Sequence, residues 1–347
     1  MWPLGFSLAR LPKRCQLILQ DTTVDTLLLY RLKVRQPGRS LFPRFETTMP
    51  EVVVCALQDI AAARTSKETQ ARTLRVVRET IERTRANLIV LPEMSNVPYF
   101  CNAVTDRYLS WAETIPGPYT EQFSALASEY KTTIVLPVFE VVGLDFYYNS
   151  AVLIGPTGDV IRSLCQRELN VEPTSRYRKV HLPASPNLQL DALATYEKYY
   201  FRPGHSFPVF PTPIGNVGVL ICWDKRFTEA WRLLALSGAD LIVNPSCLMG
   251  GWRGNTYRAE LQIMALYNQV FVIGCSKSGK EELLDGHQLT YSGGAHIFDP
   301  RGKNVVSVQS GPLAAHARVD MGCVRAARRE TPIYRDRRPE LYGPILD

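Results

Sequence analysis

The stretch GVLICWDKRFTEAWR, residues 218–232, changes character in its middle. It begins as an apolar, β-branched run that reads as a buried strand, and it ends with apolar residues at helical spacing. Between the two stand Cys222, Trp223, Asp224, Lys225 and Arg226. A strand that stops at a cysteine and turns at once into a helix sets the thiol beside oriented N–H groups, which favour a thiolate.

Outward from this seam, strand and helix alternate. EVVVCAL (51–57) reads as a strand. Thr65 and Glu68 then have the spacing of a capping box ahead of a helix whose Ala71, Leu74, Val77 and Ile81 share one face. ANLIVLPE (86–93) is a buried strand, and a helix through TEQFSALASEY (120–130) leads to the strand TTIVLPVFE (132–140). NSAVLIGPTGDVIRS (149–163) has two apolar runs around a Pro-Thr-Gly turn and is expected to form a hairpin. Beyond the seam come a helix over 228–237 closed by Gly238, the strand ADLIVNPS (239–246), a helix over 255–268 and the strand QVFVIGC (269–275). AHIFDPRGKNVVSV (295–308) gives a second hairpin. The class is α/β with mixed sheets, and the two strand-turn-strand units hint at two similar halves.

Composition bounds the function. The chain has 347 residues, of which 46% are hydrophobic, enough for a substantial core. Its net charge of +7 does not point to nucleic acid, because the excess lies at the ends. Residues 1–50 carry eight Lys/Arg against three acids and residues 301–347 nine against five, leaving 23 basic and 25 acidic residues between. The eight cysteines form no CxxC pair and the five histidines no HxH or HExxH, so no zinc site is expected. Scattered cysteines within apolar runs suit reduced thiols and a cytoplasmic location. No run is long enough to span a bilayer, so no membrane partner is expected. Residues 1–48 are Arg-rich and differ from the rest; they are read as an extension, disordered or upstream of the true start at Met49, with one domain over 49–347.

Three polar residues stand at or just past strand ends: Glu93 in LIVLPEM, Lys179 in RYRKVHL and Cys222 in VLICWDK. Singly, a helix cap, a solvated charge and a core cysteine would account for them. Together they make chemical sense as a thiol hydrolase, in which the carboxylate is expected to take the thiol proton and the lysine to offset charge developing on the attacked carbonyl oxygen. The Trp223 N–H, directly after the nucleophile, is expected to join Lys179 as a second oxyanion donor. This chemistry needs neither metal nor cofactor.

These segments, their order and their surroundings resemble the nitrilase superfamily of carbon-nitrogen hydrolases. The likeness extends from Met49 to the C-terminus through YNSAVLI, RYRKVHLP, YFRPG and GADLIVNPS. The resemblance implies a four-layer α-β-β-α sandwich, a Glu93, Lys179 and Cys222 triad, and a further glutamate, Glu197 in TYEKYYFRPG, assisting with substrate or water. It also implies a homodimer or higher homo-oligomer formed through the helix layer after Cys222. A Glu93 base requires raised proton affinity, which burial beside Glu197 would supply and Lys179 would limit.

The residues after the nucleophile narrow the substrate. Nitrilases of the superfamily usually have Cys-Trp-Glu, whereas Asp224 resembles the amidase and carbamoylase branches. Lys225 and Arg226 suit a carboxylate-bearing amide or ureide, as in enzymes of N-carbamoyl-D-amino acids, where an arginine pair holds the carboxylate. Here the first member is lysine, and no histidine lies between His181 and His205. N-carbamoylputrescine, a cation, and the monoamides of ω-amidases are the alternatives; a binding protein lacking turnover is the alternative from another class. Tyr99, Trp223, Asn244 and Trp252 are further pocket candidates, and Asn149 is expected to secure backbone near the site. GGWRGN (250–255) lacks the ending of a phosphate loop.

Overall fold

Strand β1 (Glu51–Leu57) shows how the chain sorts itself into layers. Alternate side chains of a strand face opposite ways. Here Val52, Val54 and Ala56 enter one apolar core, while Cys55 and Leu57 enter another. Both faces are covered, so the strand lies inside the molecule. The computed structural model describes residues 51–58, 64–165, 172–185, 195–311 and 313–346. The expected extension over 1–48 lies outside the described residues.

After β1 come helix α1 (Ser66–Thr84), β2 (Leu88–Val90), helix α2 (Pro118–Tyr130), β3 (Thr133–Val142) and β4 (Phe146–Ile154). A linking segment holds β5 (Tyr177–Arg178), β6 (Ala184–Ser185), β7 (Thr195–Tyr196), the short helix α3 (Glu197–Tyr200) and β8 (Val209–Thr212). The second half then repeats the plan: β9 (Gly215–Val219), α4 (Thr228–Leu236), β10 (Leu241–Ser246), α5 (Trp252–Asn268) and β11 (Phe271–Ser276). An inserted hairpin, β12 (Ser278–Glu282) and β13 (Gln288–Ser292), precedes β14 (Ala295–Phe298) and β15 (Asn304–Val308). Strand β16 (Ala314–Asp320) and helix α6 (Gly322–Glu330) follow.

The strands form two six-stranded sheets, ordered β16-β1-β2-β3-β4-β5 and β8-β9-β10-β11-β14-β15. Read in those orders, the neighbours in each sheet run antiparallel, parallel, parallel, antiparallel and antiparallel. The hint of two similar halves is thus matched strand for strand. Val54, Leu88 and Val135 of the first sheet share a core with Val219, Val243 and Ile273 of the second. Outward, Ile89 and Leu136 pack with Val77 and Phe123 of α1 and α2, and Leu220 and Ile242 with Trp231 and Leu261 of α4 and α5. The architecture is the four-layer α-β-β-α sandwich with two mixed sheets.

Two local expectations need correction. Thr65 does cap α1 by accepting the Glu68 N–H, but the buried face is offset from the one read by hydrophobicity. Ala71 is exposed, whereas Thr69, Thr73, Val76, Val77, Thr80 and Ile81 are buried. Thr69 and Thr73 satisfy their hydroxyls on the carbonyls of Thr65 and Ser95, so their methyl groups can pack as apolar surface. The hairpin around Pro156, in turn, is shorter than its two apolar runs: the Gly155 and Ile161 N–H groups donate to the Asp159 and Leu153 carbonyls, and the long hairpin beside it is β3–β4. Strands β3 and β5 occupy both edges of β4, so the arm returning from Gly158 makes a single bridge, Ile154 with Val160. No helix among the described residues is long and apolar enough to cross a membrane.

Candidate active site

Cys222 leaves β9 and opens a short 3-10 turn (Cys222–Arg226) with a φ of 46°. Of the five non-glycine residues with left-handed backbone among those described, Arg85, Lys131 and Gln269 close helices, where that conformation is common. The other two are Cys222 and Met94, the residue after Glu93. Left-handed backbone away from a cap costs a side-chain-bearing residue about 1–3 kcal/mol, and the surrounding contacts must enforce it.

Asp224 enforces it at Cys222. Its buried carboxylate accepts the Ile221 N–H at 3.0 Å and the Tyr177 hydroxyl at 2.6 Å through Oδ2. Oδ1 accepts the His181 N–H at 2.9 Å and lies 2.8 Å from His181 Nδ1. Tyr177 and His181 flank Lys179, so one carboxylate ties the cysteine turn to the lysine segment. The His181 ring in turn stacks on Phe227, with centroids 3.5 Å apart. Replacing Asp224 with Ala strands the buried Ile221 N–H and Tyr177 hydroxyl and the half-buried His181 N–H, and is expected to cost about 3–5 kcal/mol of stability in urea unfolding. A loss below about 1 kcal/mol would be that of an ordinary surface contact and would remove Asp224 from this role.

Lys179 is fully buried and uses its ammonium on two carboxylates: Nζ donates to Glu93 Oε1 and to both oxygens of Glu197, each at 2.8 Å. Asn149 braces the same pair, donating Nδ2–H to Glu93 Oε1 at 2.8 Å and accepting the Lys179 N–H on its carbonyl. Glu93 Oε2 keeps no hydrogen-bond donor among the described residues. Burial opposes the charge on Lys179, yet Glu197 and Glu93 outweigh it and hold the ammonium well above its ordinary range. Burial pushes Glu197 up to about 7, against the pull of Lys179 and with a further rise from Glu93. Burial also pushes the Cys222 thiol up to about 11; Glu93 adds to the rise, while Lys179 and Lys225 oppose it. The charges of Glu93, Lys179 and Glu197 are therefore all felt at the sulfur.

A cysteine on a strained strand-to-helix turn, sharing one field with a buried Glu-Lys-Glu cluster, fits the pattern of the carbon-nitrogen hydrolases, and the sequence pattern of that family matches residues 54–329. The chain belongs to the carbon-nitrogen hydrolase family. It is 31% identical over 273 residues to the N-carbamoylputrescine amidase of Solanum lycopersicum, covering 75% of this chain and 84% of that one. It is 30% identical over 270 residues to the citrullinase of Francisella tularensis, covering 75% and 87%. The crystal structure of a carbon-nitrogen hydrolase from Helicobacter pylori superposes with a TM-score of 0.74 at 25% identity, over 86% of this chain and 99% of the other.

In this carbon-nitrogen hydrolase the remaining candidates take varied places. Tyr99 donates its hydroxyl to Glu197 Oε1 at 2.9 Å and shares a hydrogen bond with Thr195. Lys225 is buried, 3.4 Å from the Cys222 carbonyl oxygen and 5.6 Å from the Tyr257 ring centroid. Arg226 pairs with Glu260 of α5 at 2.9 Å and lies over the Trp223 ring. Asn244 donates its amide to the Leu220 carbonyl at 2.6 Å, linking β10 to the end of β9. Trp252 opens α5, and its side chain lies outside what is described. Sequence reasoning used Asp224 only as a mark of the branch. A lone acid two residues past Cys222, in a turn between apolar runs, was the signal available for its structural role.

Proposed function

We propose that the protein is a cysteine amidohydrolase that cleaves a terminal amide or carbamoyl C–N bond through a thioester. The observation that carries this reading is the buried Lys179 ammonium bridging Glu93 and Glu197, with Cys222 held on a left-handed turn in the same field. Cys222 Sγ attacks the substrate carbonyl carbon while its proton passes to Glu93, whose Oε2 is the open acceptor. A thiol resting near 11 gives up its proton at neutral pH only as the attack proceeds, which is why a base must stand beside it. The oxyanion forms against Lys179 and the Trp223 N–H. Collapse returns the proton to the leaving nitrogen, ammonia departs, and a thioester remains. Water, deprotonated by Glu93 and oriented with the help of Glu197, hydrolyses it. From an N-carbamoyl substrate the released carbamate decomposes to carbon dioxide and an amine.

The two relatives are named for ureido compounds that share a carbamoyl head and differ in the charge of the tail. Lys225 favours an anionic tail: it is buried and forms no ion pair with a carboxylate among the described residues. Burial lowers its proton affinity, so an incoming carboxylate would stabilise its charge. Arg226 has Glu260 as its partner, which makes Lys225 the better-placed cation. The test is ammonia release from N-carbamoyl D- and L-amino acids, N-carbamoylputrescine, dicarboxylic monoamides and nitriles. Carboxylate-bearing substrates should turn over, and Lys225→Met should raise their KM by about tenfold or more, the worth of a hydrogen bond to a charged group. Turnover confined to N-carbamoylputrescine would overturn the anionic reading in favour of the putrescine branch.

A further inference from the structure

The hairpin β12–β13 has no counterpart in the first half, where β3 turns directly into β4. It leans on the loop that follows Glu93: Leu283 and Leu289 are buried in one cluster with Met94, Val97, Phe100 and Tyr108. Within it Glu281 is almost wholly buried, and its Oε1 accepts Lys277 Nζ–H at 2.9 Å. Its Oε2 accepts both the Tyr291 hydroxyl and the backbone N–H of Tyr99, the latter at 3.0 Å. Lys277 donates a further bond to the Val97 carbonyl at 2.9 Å. Both members of this buried ion pair therefore grip the main chain of 97–99. Tyr99 is held at its other end by Glu197, through a hydroxyl bond of 2.9 Å.

We propose that Glu281 is a positioning residue for hydrolysis: by fixing the main chain of Tyr99 it sets the Tyr99 hydroxyl, and through it the Glu197 carboxylate beside Lys179. The assignment rests on the hydrolase reading above. A buried ion pair adds little net stability over apolar residues of the same volume, so its value here lies in geometry. Tyr99 is a rigid lever with one end on each carboxylate, and a shift at its backbone is delivered to Glu197.

The test uses the full chain and a substrate that the ammonia panel shows to turn over. Tyr291→Phe removes one donor from Glu281 with minimal change of shape, Glu281→Gln removes the charge, and Tyr99→Phe cuts the lever at its far end. Each should lower kcat by about tenfold or more with KM changed by less than about threefold, because displaced groups cost most in the reacting geometry. The double variant Tyr291→Phe with Tyr99→Phe should be no slower than Tyr99→Phe alone, since both act through Glu197. If Glu281→Gln fails to fold, Tyr291→Phe and the double variant decide. Wild-type kcat in Tyr291→Phe, or losses that multiply in the double variant, would overturn the assignment while leaving the hydrolase reading intact. A wild-type protein that releases no ammonia from any substrate would overturn both.

Discussion

Replacing Cys222 with alanine is expected to abolish ammonia release, lowering kcat by about four orders of magnitude or more on any substrate of the wild type. The turn itself should survive, because alanine carries the same Cβ at a φ of 46° and the Asp224 bonds to Ile221, Tyr177 and His181 do not involve the sulfur. Loss of one small side-chain atom group should change stability by no more than about 1–1.5 kcal/mol. Mass spectrometry during turnover of a slow substrate gives the second readout: a covalent adduct on wild-type Cys222 and none on the variant. A folded Cys222→Ala protein with undiminished ammonia release would end the thioester mechanism.

The other large effect is expected at Lys179. On the proposed mechanism Lys179→Met removes an oxyanion donor, worth about two to three orders of magnitude in kcat. It also leaves Glu93 and Glu197 buried together without their shared cation, at an expected cost of about 3–5 kcal/mol near neutral pH. The pH dependence fixes the cause. Glu197 already sits near 7, above the ordinary 4.5, and Lys179 is what restrains it, so the variant carries it higher still. A carboxyl raised in the folded state contributes its full share below its unfolded value and loses it as pH climbs toward the folded one. Wild type loses this share between about 4.5 and 7 as well, so the deficit of Lys179→Met against it should be smallest below about pH 7 and widen above, as urea midpoints of both proteins at several pH values will reveal. A stability deficit independent of pH would mean that the two carboxylates are not what the lysine neutralises.

Much of this was legible before any coordinates. Apolar runs such as EVVVCAL and QVFVIGC announce strands buried on both faces, and Gly238, with its φ of 91°, closes α4 where expected. The placement of Glu93 and Cys222 at strand ends was visible because polar residues follow apolar runs there, whereas Lys179 stands among charged residues in RYRKVHL and was marked by the resemblance. The face of α1 was not, since Thr69 and Thr73 count as polar until their hydroxyls are seen bonded within the helix and to Ser95. The start of α5 at Trp252 precedes the expected 255 because Gly251, at a φ of 77°, lets the chain enter the helix sooner. Glu281 and Lys277 carried no signal: SKSGKEE (276–282) has no large apolar residue, and only the docking of Leu283 and Leu289 against the Glu93 loop buries them. Arg226 had an attractive chemistry, but its salt bridge to Glu260 depends on a helix more than 30 residues away. Contacts of that range have no trace in local pattern.

The doubled topology has a consequence for the nascent polypeptide. Glu93 hangs from the first sheet, Lys179 from the connecting segment and Cys222 from the second sheet, and the Asp224 anchor closes only when the last of these has arrived. A fragment that ends in the linking segment therefore carries the acid and the amine of the proposed site without its thiol, which joins them only when β9 docks across the interior.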